Sequence, residues 1–313
     1  MSVIKWPGGK TQLLPAIRPL IPNHIKTYCE PFVGGGAVLL DLAPTHAIIN
    51  DANPELINLY RVVRDNPDDL VAALLQHVNT AEHFYAIRSL DRDPEAWAAL
   101  SDIDRAARYL FLNKTCFNGL MRVNRHGQIN SSFGRYSKPC ICPKDGILEL
   151  HDFLFNSDID IMCGDYTAAL DRLDSGDFAY LDPPYAPVSK TANYTSYTSS
   201  GFGIDEQIRL ANACRDLDRR GVKWLMSNSS VALIHDLYSN FIIDVVPAKR
   251  SINCKGGKRG PVDEVLIRNY SIPNSLSINK KDSSVEAHES ASIKLSSLQI
   301  YSKYTIGGFS NDR

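Results

Sequence analysis

Four residues carry the strongest chemical signal in this chain: Asp182-Pro183-Pro184-Tyr185, directly after the apolar run Phe178 to Leu181. Proline has no N–H and holds the preceding residue extended, so the Asp182 carboxylate and the Pro183 carbonyl become two fixed acceptors aimed at one spot. Two converging acceptors suit a planar amine such as the exocyclic amine of a nucleobase. The lone pair of that amine is delocalised into its ring. Accepting both hydrogens draws the nitrogen toward tetrahedral geometry and frees the pair for attack, with Tyr185 placed to stack on the ring. The same four residues also make a rigid turn with a packed tyrosine, so the tetrapeptide alone leaves both readings open.

A glycine-rich turn is the second signal. Thr27 to Val33 reads as a short strand that runs into the turn Glu30-Pro31-Phe32-Val33-Gly34-Gly35-Gly36, and Ala37 to Leu42 as the start of a helix. Without a Cβ, glycine lets backbone approach a nucleotide-like ligand, and the helix start offers free N–H groups. A dinucleotide fingerprint calls for another glycine three residues after Gly36, where this chain has Leu39, so NAD is disfavoured. Asp51 closes the next apolar run, Ala47 to Asn50, from where a carboxylate can accept from both hydroxyls of a ribose. A third element, Lys5-Trp6-Pro7-Gly8-Gly9-Lys10, reads by itself as a surface turn.

These residues need a scaffold. Strand, glycine turn, helix, strand and acid, in that order, open a doubly wound α/β sheet. From Pro54 to Thr115 the periodicity turns helical, through Leu56, Leu59, Val62 and Val63, then Leu70, Ala73 and Leu74, then Ala106, Ala107, Leu110 and Phe111. Residues 120–133 alternate weakly about His126-Gly127, as a hairpin or extended loop. Strand-like runs resume at Ile159 to Cys163, Phe178 to Asp182, Val222 to Ser227, Phe241 to Val246 and Glu264 to Tyr270, with helices over Ile204 to Arg219 and Val231 to Tyr238. The expected fold is α/β, a Rossmann-like doubly wound sheet from residues 1–55 and 158–270. A mostly helical insertion, residues 56–157, interrupts it and carries the hairpin near 118–136. Residues 271–313 are rich in Ser, Lys and Asn and read as a loosely ordered tail.

Composition sets the outer bounds. At 313 residues and 44% hydrophobic the chain can bury a full core, which excludes a peptide hormone, a disordered protein or a minimal binding module. Lys plus Arg total 34 against 35 for Asp plus Glu, so a net charge of -1 suggests no polyanionic partner. The total conceals a partition. Arg105 to Lys144 contains eight cations and no carboxylate, and Pro247 to Val262 contains five and none. Such runs are either solvated faces or one surface that grips a polyanion. Seven cysteines form an odd count without a C-x-x-C pair, which fits a reducing compartment and points to no metal. No run approaches the roughly 18 apolar residues of a membrane span and the start has no signal-peptide core, so a cytoplasmic location is expected.

Taken together, the motifs resemble those of a known family, the Dam-type (D12 class) adenine-specific DNA methyltransferases. The likeness runs from about Ile4 to Tyr270 and rests on KWPGGK at 5–10, EPFVGGG at 30–36, IIND at 48–51, NGLMRVN at 118–124 with FGRY at 133–136, and DPPYAP at 182–187 followed by Tyr194 to Tyr197. It implies S-adenosyl-L-methionine as cofactor and double-stranded DNA as substrate, with the target adenine flipped out of the helix. Asp182, Pro183, Pro184 and Tyr185 match the catalytic tetrapeptide. Trp6, Lys10, Phe32, Gly34, Gly36, Asp51, Asp165 and Asp182 match the cofactor site. The insertion is similar to a target-recognition domain, which makes Lys5, Phe117, Asn118, Leu120, Arg122, Arg135, Lys249 and Arg250 the DNA-contacting candidates. Relatives of this kind commonly recognise GATC. They often carry Val-Pro before the Phe-Gly of the hairpin, where this chain has Ser131-Ser132, a departure that touches specificity more than activity. The alternatives are a methyltransferase of another planar amine, in RNA adenine or protein glutamine, and a DNA-binding relative without catalysis. No obligate protein partner is evident; a restriction nuclease acting on the same site is the companion such an enzyme would have.

Overall fold

The computed structural model describes residues 3–187, 202–248 and 262–272. In chain order the elements are α1 (Leu14–Ile17), β1 (Tyr28–Glu30), α2 (Ala37–Leu42), β2 (His46–Asp51), α3 (Pro54–Asp65), α4 (Pro67–Leu74), α5 (Ala81–Ser89), α6 (Pro94–Ala98) and α7 (Asp102–Thr115). There follow α8 (Lys144–Asn156), β3 (Asp158–Cys163), α9 (Tyr166–Leu170), β4 (Phe178–Leu181), α10 (Ile204–Arg219), β5 (Lys223–Ser229), α11 (Ala232–Leu237), β6 (Ile242–Ala248) and β7 (Val262–Arg268). The strands form one sheet in the order β3-β2-β1-β4-β5-β7-β6, parallel from β3 through β5, with β7 antiparallel to both neighbours. This is the Rossmann-like, doubly wound α/β arrangement expected.

Because alternate strand residues face opposite ways, each strand feeds two cores. In β4, Phe178 and Tyr180 join a core shared with α3, α7 and α8, while Ala179 and Leu181 join one shared with α9, α10 and α11. A sheet covered on both faces needs unbroken apolar strands, and all four residues of β4 are buried. The first of these cores is continuous from the sheet into the insertion. It contains Tyr28, Ile49 and Ile161 of the sheet together with Leu70, Phe84, Phe111 and Ile129. Helix α3 begins before residue 56 and packs on β2 and β3 as well as on α7.

Three elements differ from the sequence reading. The first strand stops at Glu30 because Pro31 has no N–H for the ladder. Helix α8 is an element that the sequence reading does not single out within its mostly helical insertion, although Ile147, Leu150 and Leu154 recur on one helical face and are its buried residues. The hairpin of the insertion forms no regular strand; its arms meet in two isolated bridges, Cys116 with Phe133 and Val123 with Ile129. Among the described residues, no helix is long and apolar enough to cross a membrane. The tail beyond Ile272 lies outside the described residues.

Candidate active site

In a sheet of this order the chain leaves β1 and β4 toward opposite faces, which opens a crevice at their carboxyl ends. Asp182 stands at the end of β4. Its Oδ1 lies 2.7 Å from Lys10 Nζ and accepts the Ser227 hydroxyl at 3.0 Å. Lys10 is 6% exposed; its ammonium also donates to the Gly8 carbonyl at 2.6 Å and sits 4.7 Å from the centre of the Tyr185 ring. One buried cation therefore joins the first and last residues of the tetrapeptide. Burial pushes the Asp182 carboxyl above the usual carboxylate range, while Lys10 and Ser227 pull it back toward the ionised form.

The path after Asp182 is fixed residue by residue. The Pro184 carbonyl accepts from Gln207 Nε2 of α10 at 2.9 Å, and the Tyr185 hydroxyl donates to Glu264 of β7 at 2.8 Å. Ala186 donates its N–H to Asn228 Oδ1 at 3.0 Å, and its carbonyl accepts the Ser229 hydroxyl at 2.6 Å. Beneath lie the Tyr180 hydroxyl, 3.1 Å from Ser227 Oγ, and Glu30, which accepts the Tyr28 hydroxyl at 2.7 Å. Burial pushes the Glu30 carboxyl up to about 8, against the hydrogen bond from Tyr28 and with the Asp182 charge adding to the effect.

The neighbouring ends of β1, β2 and β3 carry the other candidates. Gly34 and Gly36 have φ of +48° and +64°, a conformation natural to glycine. A Cβ on Gly34 would lie 2.4 Å from Trp6 Nε1, and one on Gly36 would lie 2.7 Å from the Tyr60 hydroxyl, which donates to the Gly34 carbonyl at 3.0 Å. The close approach that the glycines permit is thus taken by Trp6 and Tyr60. Asp51 Oδ2 accepts the Gly34 N–H at 3.0 Å and Oδ1 accepts that of Asn53 at 2.9 Å. A carboxylate offers about four lone-pair sites, so acceptor capacity for a diol remains. Burial pushes the Asp51 carboxyl up to about 6 against those N–H donors. Asn50 ties the three strand ends together, its Nδ2 donating to the carbonyls of Pro31 and Gly164 at 3.0 Å each.

Asp165 caps α9, accepting the Thr167 N–H at 3.0 Å, and is gripped by both Nη atoms of Arg209 at 2.7 and 2.9 Å. The Arg209 guanidinium holds its carboxyl down to about 2. Phe32 lies 5.0 Å from the Tyr166 ring and 6.0 Å from Phe202, an aromatic cluster with Arg209 at its edge, 5.0 Å from Tyr166.

The insertion candidates gather at the base of the hairpin. Lys5 exchanges backbone bonds with the Asn113 amide, both at 2.8 Å, and its Nζ lies 4.6 Å from the Tyr136 ring. Asn118 and Gly119 are both left-handed, with φ of 57° and 65°, which turns the chain sharply after Phe117, itself 59% exposed. Leu120 is half-buried, while Arg122 and Arg135 are exposed. The tip is closed by Asn124, whose Oδ1 accepts the N–H groups of His126 and Gln128 at 2.9 and 3.1 Å. Lys249, Arg250 and Tyr194 to Tyr197 lie outside the described residues.

Residues that the sequence reading missed hold this site together: Ser227, Asn228, Gln207, Glu264, Asn50 and Arg209. Ser227, Asn228 and Ser229 had a legible signal, three polar residues ending an apolar strand, all of them buried. Glu264 and Gln207 carry none, because only the fold brings β7 and α10 against residues 184–186.

Residues 6–252 match the family model of D12 class N6 adenine-specific DNA methyltransferases. The chain is 43% identical over 268 residues to the type II methyltransferase M1.LlaDCHI of Lactococcus lactis subsp. cremoris, covering 85% of this chain and 94% of that protein. It is 41% identical to the type II methyltransferase M.MjaIII of Methanocaldococcus jannaschii, over 85% of this chain and 98% of the relative. Identity to the DNA adenine methylase of Escherichia coli K12 is 36%, over 85% and 94%. The chain belongs to the D12 class of N6 adenine-specific DNA methyltransferases.

Proposed function

We propose that the protein methylates the N6 amine of an adenine flipped out of duplex DNA, within GATC, using S-adenosyl-L-methionine. The observation that carries this reading is the Lys10–Asp182–Ser227 cluster, which holds the first acceptor of the tetrapeptide rigidly at the end of β4. In this reading residues 1–55 and 158–270 form the cofactor-binding and catalytic unit and 56–157 the recognition unit. The cofactor supplies a methyl group activated on a cationic sulfonium. The residues fit it: Asp51 keeps acceptor capacity for ribose hydroxyls, Asp165 is held ionised by Arg209, and Phe32 with Tyr166 and Phe202 offers an aromatic wall for an adenine ring.

The chain's own work is positioning. Asp182 and the Pro183 carbonyl accept the two hydrogens of the target amine, and Tyr185, held by Lys10 and Glu264, stacks on its ring. Orientation of this kind supplies up to ~7 to 11 kcal/mol of barrier reduction in well-aligned cases. No covalent intermediate and no metal is needed; the amine proton leaves after transfer. On the recognition side, Phe117, Asn118, Leu120 and Arg122 face the DNA, with Arg122 reading a guanine edge. Lys5, Arg135, Lys249 and Arg250 neutralise phosphates. The reading includes a cytoplasmic location, as expected from the sequence.

Mapping methylated adenines in DNA from cells that express the protein tests the reading as a whole. N6-methyladenine at GATC is the expected result. Methylation within a different sequence removes GATC alone, and unmodified adenine with methylated RNA or protein removes DNA as the substrate.

A further inference from the structure

The hairpin has too little ladder to set its own shape, since a two-stranded ribbon is marginal in water by itself. Its outer arm is fastened to the helical scaffold instead. Arg88 of α5 donates from Nη1 to the Ser131 carbonyl at 2.8 Å, and Arg92 donates from Nη2 to the Ile129 carbonyl at 2.7 Å. Asp91 accepts the Ile129 N–H on Oδ2 at 2.8 Å. Asp91 in turn is paired with the buried Arg108 of α7 at 2.9 Å and with Arg92 at 2.7 Å.

The inner arm, which carries Leu120 and Arg122, is joined to this clamped arm through a side chain. Ser131 Oγ accepts the N–H of Arg122 at 2.8 Å and donates to the carbonyl of Leu120 at 2.7 Å. The Asn130 N–H adds a bond to the Arg122 carbonyl at 2.9 Å. Ser131 is 6% exposed, so its hydroxyl satisfies backbone groups with little access to water. One residue thus has its carbonyl clamped by the scaffold and its hydroxyl bonded on both sides of the inner arm.

We propose that Ser131 is a positioning residue for sequence recognition: its hydroxyl sets the inner arm, and with it Leu120 and Arg122, against the Arg88–Asp91–Arg92 clamp. The inference rests on the reading that this hairpin enters DNA. A bidentate contact to a base edge tolerates displacement of about half an ångström, so loosening the arm degrades discrimination before it touches the chemistry.

The test uses the purified full chain, labelled S-adenosyl-L-methionine, the duplex site found by methylation mapping and duplexes with one base pair changed. Ser131→Ala is expected to lower the ratio of kcat/KM between the site and its variants about tenfold, with cofactor affinity measured without DNA unchanged. Ser131→Thr, which keeps the hydroxyl, restores the ratio. Combined with Arg122→Ala, Ser131→Ala causes no further loss at the base pair that Arg122 reads. A parental ratio in Ser131→Ala overturns the proposal, as does a loss equal for every duplex and shared by cofactor binding. If the parent itself shows no sequence-dependent methylation of DNA, the proposed function falls first and the role of Ser131 with it.

Discussion

The segment Asp182–Ala186 and the hairpin between Cys116 and Gly134 both leave regular secondary structure, yet they are held in different ways. After β4 the bonds include side chain to side chain contacts in a buried setting: Lys10 to Asp182, Ser227 to Asp182, Tyr185 to Glu264. At the hairpin they run from scaffold side chains to backbone, as Arg88 to Ser131 and Arg92 to Ile129 do, and the side chain of Arg122 stays in water. Under the proposed function, the first segment meets a transition state and is preorganised where a low dielectric strengthens each bond, at the cost of having to satisfy all of them. The hairpin, which the same proposal sets against DNA, leaves the Arg122 side chain free while the backbone beneath it is fixed.

Removing Asp182 presses hardest on that contrast. Asp182→Ala is expected to cut the single-turnover rate of methyl transfer at least about a hundredfold while DNA binding, measured by titration, persists. Retained turnover would show that the buried cluster is a structural staple. Arg122→Ala acts at the other pole and should relax choice at one base pair about tenfold, read from rates on single-substitution duplexes. An unchanged pattern would reduce Arg122 to a phosphate contact at most.

The smallest effect concerns Asp51, the residue that the proposed function sets against the ribose of the cofactor. Its carboxyl is pushed up to about 6, so lowering the pH through that value adds a proton and removes an acceptor. Cofactor affinity should fall about fourfold between pH 7 and 5.5, a dependence that Asp51→Asn abolishes, as isothermal titration would measure. For stability the sign is opposite. The folded chain retains at Asp51 a proton that the unfolded chain releases between about pH 4 and 6, so this group's contribution to folding declines as the pH rises through that window.

The central strands are readable because β1, β4 and β5 are runs buried on both faces, and such runs need no partner to be recognised. The tetrapeptide, the glycine turn and Asp51 were readable for a related reason: each is a local break in a strand, at the edge where parallel sheets place their ligands. The sequence could not say that Lys10 reaches Asp182, or that Glu264 holds Tyr185, because those pairs are 172 and 79 residues apart and meet only across the finished sheet. The glycine turn reads as room for a ligand, yet Trp6 occupies the space next to Gly34. A residue without a side chain signals close approach without naming what approaches.

The core that runs unbroken from the sheet into the insertion has a consequence for modularity. Ile49 and Ile161 of the sheet and Leu70, Phe84 and Phe111 of the insertion belong to one packed cluster, and α3 serves both sides of the boundary. A recognition unit lifted from a relative as a cassette would bring half of an interior that must interlock with the host's other half at close-packed density. Such hybrids fail at the seam before their specificity can be asked about. Changes at exposed hairpin positions such as Arg122 and Arg135 cross no such seam, so under the proposed function divergence in target sequence has its least costly route there.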